Sequence, residues 1–254
     1  MTGIAGPRVA LTGAGGPMGH AVARRLLQAG ADVLVLTDIS GRRLAETAAT
    51  LAADYPAARI ESRRADVTVA AEAAAFATLV LEGAGGADVL VNTVGGIRSA
   101  DLYTPFLQMD EARFRATFDL NLMGIFHLVR AFAPGMMQRG LGRIVNFASV
   151  VYGGEAGQAD YAGAKAAVAS ITRSLAAELG PAVTVNAVAP GLTRTSVTRN
   201  IPADEVARLT AMAFNHRLAE PAEVAEAVAF FASDAARFVT GEILAVSGGI
   251  SPRL

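Results

Sequence analysis

Arg8-Val9-Ala10-Leu11-Thr12-Gly13-Ala14-Gly15-Gly16-Pro17-Met18-Gly19 reads as a strand, a glycine-rich turn and the opening of a helix. Glycines let such a turn bend tightly and let its backbone approach a pyrophosphate, which the free N–H groups and dipole of the helix N-terminus attract. A glycine-rich turn alone says little, since many strand-to-helix turns contain glycine. Its place after the first strand and before a helix gives it weight.

Working outward, short apolar runs alternate with longer segments of helical period. Strands are expected at Val9–Thr12, Asp32–Thr37, Arg59–Arg64, Asp88–Asn92, Arg143–Phe147, Val183–Val188 and Glu242–Val246. Several are near-continuous β-branched or aliphatic runs, as in strands buried on both faces of a parallel sheet. Helices are expected at about Met18–Ala29, Arg42–Ala53, Val69–Leu81, Asp110–Arg139, Ala159–Leu179 and Pro221–Ser233. This alternation makes βαβ units with right-handed crossovers. The expected fold class is α/β: one doubly wound, Rossmann-type domain with a mostly parallel seven-stranded sheet flanked by helices. No repeat or composition break divides residues 1–254, and the segment from Arg194 to Arg217 fits no strand or crossover helix. We expect it to be an insertion able to cover a cleft.

Composition narrows the classes. A hydrophobic content of 52% with 18% charged residues argues for a well-filled globule rather than disorder. A net charge of −1 leaves no footprint for nucleic acid or an anionic membrane. His20, His127 and His216 are far apart and cysteine is absent, so no metal site is expected. The lack of cysteine also fits a reducing cytoplasm. The first strand begins almost at once, leaving no room for a signal peptide, and no apolar run is long enough to span a bilayer. A cytoplasmic location is the expectation.

Lys165 is the one lysine among 22 basic residues, and it stands four residues after Tyr161. At that spacing both side chains lie on one helix face. A cation beside a phenol favours phenolate, lowers its pKa and makes a general acid/base of it; alone, the pair also reads as a solvated helix contact. At the end of the second strand, Asp38 can bond the ribose hydroxyls of NAD and repel the 2′-phosphate of NADP, or it can be a simple turn residue before Ser40 and Gly41. Arg42 and Arg43 stand close by.

With Asn121 in a long apolar helix and Ser149 at the end of the fifth strand, the chain resembles the short-chain dehydrogenase/reductase family over nearly its whole length. The T-G-x-x-x-G-x-G loop of that family is similar to Thr12–Gly19, and its adenine-contacting acid to Asp66, followed by Val67. Its N-N-A-G stretch is similar to Asn92-Thr93-Val94-Gly95, its P-G segment to Pro190-Gly191-Leu192-Thr193-Arg194-Thr195, and its V-D-G-G tail to Val246-Ser247-Gly248-Gly249. Its N–S–Y–K tetrad resembles Asn121, Ser149, Tyr161 and Lys165. The resemblance implies cofactor contacts at Gly13, Pro17, Met18, Gly19, Asp38, Asp66, Val67, Asn92, Gly95, Tyr161, Lys165, Pro190, Gly191, Thr193 and Thr195. NAD is the cofactor expected, ahead of NADP.

It further implies hydride transfer at a secondary alcohol or ketone. Tyr161 would exchange the hydroxyl proton, Ser149 would bond the substrate oxygen, Lys165 would lower the phenol pKa and hold the ribose, and Asn121 would keep a water linking Lys165 to solvent. Pro17 departs from the pattern, replacing the second glycine of the loop. It preserves binding if it is the first helical residue, where its missing N–H goes unused, and blocks binding if the loop needs a positive φ there. Thr93 and Ser247 also depart, away from the chemistry. Substrate contacts are expected from Ser149, Tyr152, Glu155 and Tyr161, within the loops 95–99, 150–157 and 194–217. Arg98, His216, Met212 and Phe214 are further loop candidates. Phe114, Phe118, Leu122, Phe126 and Phe132 on one helix, and Val168, Ile171, Leu175 and Leu179 on another, cover more than one face, which suggests a homodimer or homotetramer. Two rival readings stand beside this one: an NADPH-dependent reductase of 3-oxoacyl thioesters, and a non-catalytic dinucleotide sensor of the same fold.

Overall fold

The computed structural model describes residues 6–99, 101–195, 198 and 203–250. Seven strands form one sheet: β1 (Arg8–Leu11), β2 (Val33–Asp38), β3 (Arg59–Arg64), β4 (Val89–Asn92), β5 (Gly142–Phe147), β6 (Val183–Pro190) and β7 (Ile243–Val246). All neighbours pair in parallel, in the order β3-β2-β1-β4-β5-β6-β7. The chain starts in the middle of the sheet, winds outward through β2 to β3, then crosses back to β4. That reversal makes the carboxyl ends of β1 and β4 diverge and opens a crevice above them.

Alternation along the strands divides the core in two. Val9 and Leu11 of β1, with Leu34 and Leu36 of β2, face α1 (Pro17–Gln28), α2 (Gly41–Asp54) and α7 (Pro221–Ala232). Ala10 and Val35 face the other layer, α3 (Ala70–Thr78), α4 (Glu111–Arg139) and α5 (Ala159–Leu179). Successive side chains of a strand point to opposite faces, so helices on both sides require apolar residues throughout. The edge strand β3 is the exception, with Arg59, Arg63 and Arg64 exposed, as suits a strand that must not pair with another chain. At the opposite end of the strands, Asp88 takes Arg8 Nη2 at 2.7 Å and Arg139 Nη2 at 3.5 Å, and these guanidinium groups hold its carboxyl below the usual range although burial opposes them.

Pro17 is the first residue of α1, after Gly16 with extended backbone, and no side chain caps that end. The missing N–H is one the helix would not have used, so the loop accepts proline without a positive φ. Asp110 caps α4 through its bond from Arg113 N, and Gly140 ends it in the left-handed conformation. Strand and helix bounds match expectation to within about two residues, except that a π turn at Leu79–Gly83 follows α3. The fifth strand stops at Phe147, as expected, so Ser149 lies two residues beyond it. Ser149 opens a short helical turn, Val150–Gly153, because its Oγ accepts Val151 N.

The expected insertion holds a further helix, α6 (Ala203–Ala211). The two ends of the segment are tied together: Arg194 N donates to Ala219 O at 2.9 Å, and Arg194 Nε meets Glu220 Oε1 at 2.7 Å. Residues 196, 197 and 199–202 of that segment lie outside the described residues. After α6, His216 takes φ 48°, a left-handed conformation uncommon outside glycine.

Candidate active site

The crevice at the β1/β4 divergence is an open cleft of about 980 Å³, lined by Gly13, Pro17, Met18 and Gly19 on one side and by Asp38, Asp66 and Val67 on another. Two glycines there have no substitute. Gly13 has φ +65°, and a Cβ at Gly19 would stand 2.2 Å from Gly13 O. The turn therefore brings bare backbone and an uncapped helix N-terminus to the cleft floor, a cradle suited to a pyrophosphate. Asp38 is buried, with Oδ2 accepting Gly15 N at 3.0 Å and Oδ1 accepting Ser40 N at 2.8 Å. Arg43 Nη2 lies 3.4 Å from Oδ1. Asp38 is thus built into the loop wall rather than standing as an isolated turn residue. Asp66 uses Oδ1 to accept from Thr68 N and Oγ1. The donor set and cradle fit an extended dinucleotide.

Beyond Gly95, which also lines the cleft, lie the four residues of the expected tetrad. A Cβ at Gly95 would meet Asn121 Oδ1 at 2.5 Å and Lys165 Nζ at 2.7 Å, so both groups converge on one point of backbone. Asn121 is locked there: Nδ2 donates to Gly96 O at 2.8 Å and to Thr117 O at 2.7 Å, while Oδ1 accepts Gly96 N at 3.1 Å. Lys165 is 3% exposed, and its Nζ donates to Phe147 O at 2.7 Å and lies 5.6 Å from the Tyr161 ring centroid. Ser149 Oγ lies close enough to the Tyr161 phenol to lower its pKa slightly. Helix α5 supplies Tyr161 and Lys165 one turn apart, α4 supplies Asn121, and the turn after β5 supplies Ser149.

The ionisations differ from the expectation of a depressed phenol pKa. Burial raises Tyr161 above its ordinary value, against a smaller lowering by Ser149. Burial also brings Lys165 down to about 7. Loss of water disfavours the charged form of each group, and a lysine already neutral in alkaline solution cannot stabilise phenolate there.

The other expected contacts divide. Thr195 reaches the cleft lining, as do Thr93, Val94, Arg98 and Leu120. Asn92 does not. It is 4% exposed, and its Nδ2 donates to Asn146 Oδ1 at 2.9 Å, beneath the cleft in the sheet; its side chain joins strands rather than holding cofactor. Gly191 N donates to Val246 O, and a Cβ there would meet Ser247 Cα at 2.9 Å, which fixes the turn after Pro190 against the tail. Thr193 Oγ1 donates to Gly191 O, so its hydroxyl serves that turn. Tyr152 packs partly on the core and Glu155 is exposed on the same loop. Phe214 lies against Gly249, 79% exposed. The sequence places Thr12 in the glycine loop and sets Thr93 away from the chemistry, but gives no sign of the tie between them: Thr12 Oγ1 accepts Thr93 N at 3.1 Å, and Thr93 Oγ1 donates to Thr12 O at 2.5 Å, joining the glycine loop to the stretch before Gly95. Thr12 and Thr93 stand at the ends of adjacent strands, which only the strand order shows.

A family model described as Enoyl-(Acyl carrier protein) reductase matches residues 13–251. The 3-oxoacyl-(acyl-carrier-protein) reductase FabG of Vibrio cholerae is 38% identical, over 96% of this chain and 97% of that protein. The short-chain reductase protein NovJ of Streptomyces niveus is also 38% identical, over 94% and 92%. Among solved structures, a 7α-hydroxysteroid dehydrogenase complexed with NADH and 7-oxo glycochenodeoxycholic acid superposes with a TM-score of 0.90 at 31% identity, covering 99% of this chain and 96% of that one.

Proposed function

The chain belongs to the short-chain dehydrogenase/reductase family, oxidoreductases of CH–OH and keto groups that use a nicotinamide dinucleotide, and from that premise we propose an NAD(H)-dependent enzyme acting on a secondary alcohol or its ketone. The observation that carries this reading is the convergence of Asn121 Oδ1 and Lys165 Nζ on Gly95, beside the Ser149–Tyr161 pair and at the end of the dinucleotide cleft. A nicotinamide held there would supply or accept the hydride.

The protein handles the proton. Burial keeps the Tyr161 phenol protonated at neutral pH, so it is ready to protonate the oxygen of a ketone as that oxygen gains charge. Ser149 stabilises the same oxygen by its hydroxyl. Lys165 stands beside the phenol to hold the nicotinamide ribose, and Asn121, fixed by three hydrogen bonds, holds the route by which Lys165 exchanges protons with solvent. Substrate selection falls to Tyr152, Glu155 and the segment 194–217. Asp38 supports NAD over NADP, since a buried carboxylate on the cleft wall opposes a 2′-phosphate. A panel of secondary alcohols and ketones, run with both cofactors and followed by nicotinamide absorbance, tests the reading. Tyr161→Phe, which keeps the ring and loses the proton, should cost about 100- to 10,000-fold in kcat; turnover near the wild-type rate would defeat the assignment.

A second reading, an NADPH-dependent reductase of 3-oxoacyl thioesters, draws support from the FabG relative and from Arg43 on the cleft wall beside Asp38. Preference for NADPH together with reduction of acetoacetyl-CoA would favour it. Pro17, the one departure in the glycine loop that would favour a non-catalytic sensor, sits at the first helical position and so gives that reading no support. Among the described residues no helix is long and apolar enough to cross a membrane, and a cysteine-free chain suits a reducing cytoplasm. Phe126, half exposed on α4 under the Arg130 guanidinium, supports a dimer or tetramer.

A further inference from the structure

Immediately before Tyr161, Asp160 is fully buried, and one of its oxygens takes two donors from α4. Arg113 Nε reaches Oδ2 at 3.0 Å, and Thr117 Oγ1 donates to the same oxygen at 3.0 Å. Arg113 Nη1 also donates to Thr104 Oγ1, and Thr104 N donates to Gly157 O at 2.7 Å, so the network extends to the loop after Ser149. Thr117 has a second task. Its Oγ1 accepts Arg98 N at 3.3 Å, and its carbonyl accepts Asn121 Nδ2 at 2.7 Å.

A hydroxyl has one proton to give and lone pairs to receive. At Thr117 the proton goes to the helix that carries Tyr161, and a lone pair holds the 95–98 loop. The backbone of the same residue holds Asn121. Three parts of the site therefore meet at one residue, which is itself 0% exposed: two at its hydroxyl and one at its carbonyl. The ion pair behind it is poorly made for stability: Asp160 Oδ1 and Arg113 Nη2 are both buried without a hydrogen-bond partner. Such a pair costs desolvation that it does not fully recover, so position is the better account of its presence.

We propose that Thr117 is a positioning residue of the reaction, its hydroxyl coupling the start of α5 to the 95–98 loop through Asp160 and Arg98. The proposal rests on the oxidoreductase reading for its kinetic consequence. It assigns no chemistry to Thr117, which sets the placement of Tyr161 relative to Gly95 and Asn121.

Thr117→Val and Thr117→Ser separate this role from packing. Valine keeps the shape and loses the hydroxyl; serine keeps the hydroxyl and loses a buried methyl. Thr117→Val should lower kcat by about tenfold to a hundredfold, with dinucleotide Kd changed by less than about threefold, and should speed hydrogen exchange of the 95–98 amides. Thr117→Ser should melt at a lower temperature than wild type and yet keep kcat within about threefold. Equal activity in the two variants, or losses that follow their melting temperatures, would overturn the proposal. If Thr117→Val does not fold, Thr117→Ala against Thr117→Ser gives the same contrast. A wild-type protein that turns over no alcohol or ketone would sink the proposed function, and amide exchange would still decide the coupling: exchange at 95–98 unchanged in Thr117→Val overturns it.

Discussion

Lys165 loses water without gaining an anion, and this burial brings its pKa down to about 7 although its Nζ still donates to Phe147 O. In the unfolded chain the ordinary lysine value near 10.5 returns. Between these two values the unfolded chain binds the extra proton, so this group makes the cofactor-free protein more stable as pH rises from 7. The contribution is lost as pH falls through 7, and its slope is at most about 1.4 kcal/mol per pH unit. Lys165→Met should flatten urea-derived stability between pH 7 and 9 relative to wild type. The same slope in both proteins would contradict the buried amine. Tyr161 does not disturb this window, because its raised pKa puts its own effect above pH 10. The tetrad was legible in the sequence by residue type, order and spacing. Its ionisation was not, since a spacing of four residues says which groups share a face and nothing of how much water reaches them. Thr117 and Asp160 escaped notice for a related reason: their bond spans 43 residues and leaves no local pattern.

At the scale of elements, the glycine turn and α1 form one device. Gly19 is buried in the first turn of the helix, where its α-hydrogen faces Gly13 O. Gly19→Ala would force backbone against backbone, and neither side can yield as a flexible side chain would. We expect Gly19→Ala to lower the melting temperature and to weaken NADH binding by at least about tenfold in a fluorescence titration. Binding and stability like those of wild type would show that the turn has slack. The helices and strands were readable because each meets the sheet and so repeats apolar residues at its own period. Helix α6 was not, because it lies in the segment between β6 and α7, away from the strand-and-crossover alternation, and is short. Asn92 misled for the opposite reason: it stands inside a recognisable motif, yet its amide is spent on Asn146.

Across the whole molecule, the apolar faces of the long helices are mostly satisfied from within. Phe114 and Phe118 stack at 4.9 Å between centroids, and Phe118 packs on Gly163 of α5, which accounts for part of the face that suggested a second subunit. Phe126 remains half exposed on α4, while Phe230, Phe238 and Leu244 stand open at the β7 side. Association through these faces predicts a dimer or tetramer in sedimentation at micromolar concentration, and a monomer there would refute it. The chain also carries its positive charge as guanidinium everywhere but at Lys165. An uncharged amine is a nucleophile in mild alkali, whereas arginine is inert to the same reagents. Acylation with a small anhydride near pH 8 should therefore modify one internal residue, beyond the terminal amine, only as fast as the buried recess opens to the reagent, and intact-mass spectrometry would count the adducts. Occupancy of the recess could then be followed as protection from that single mark, with no need to know the substrate.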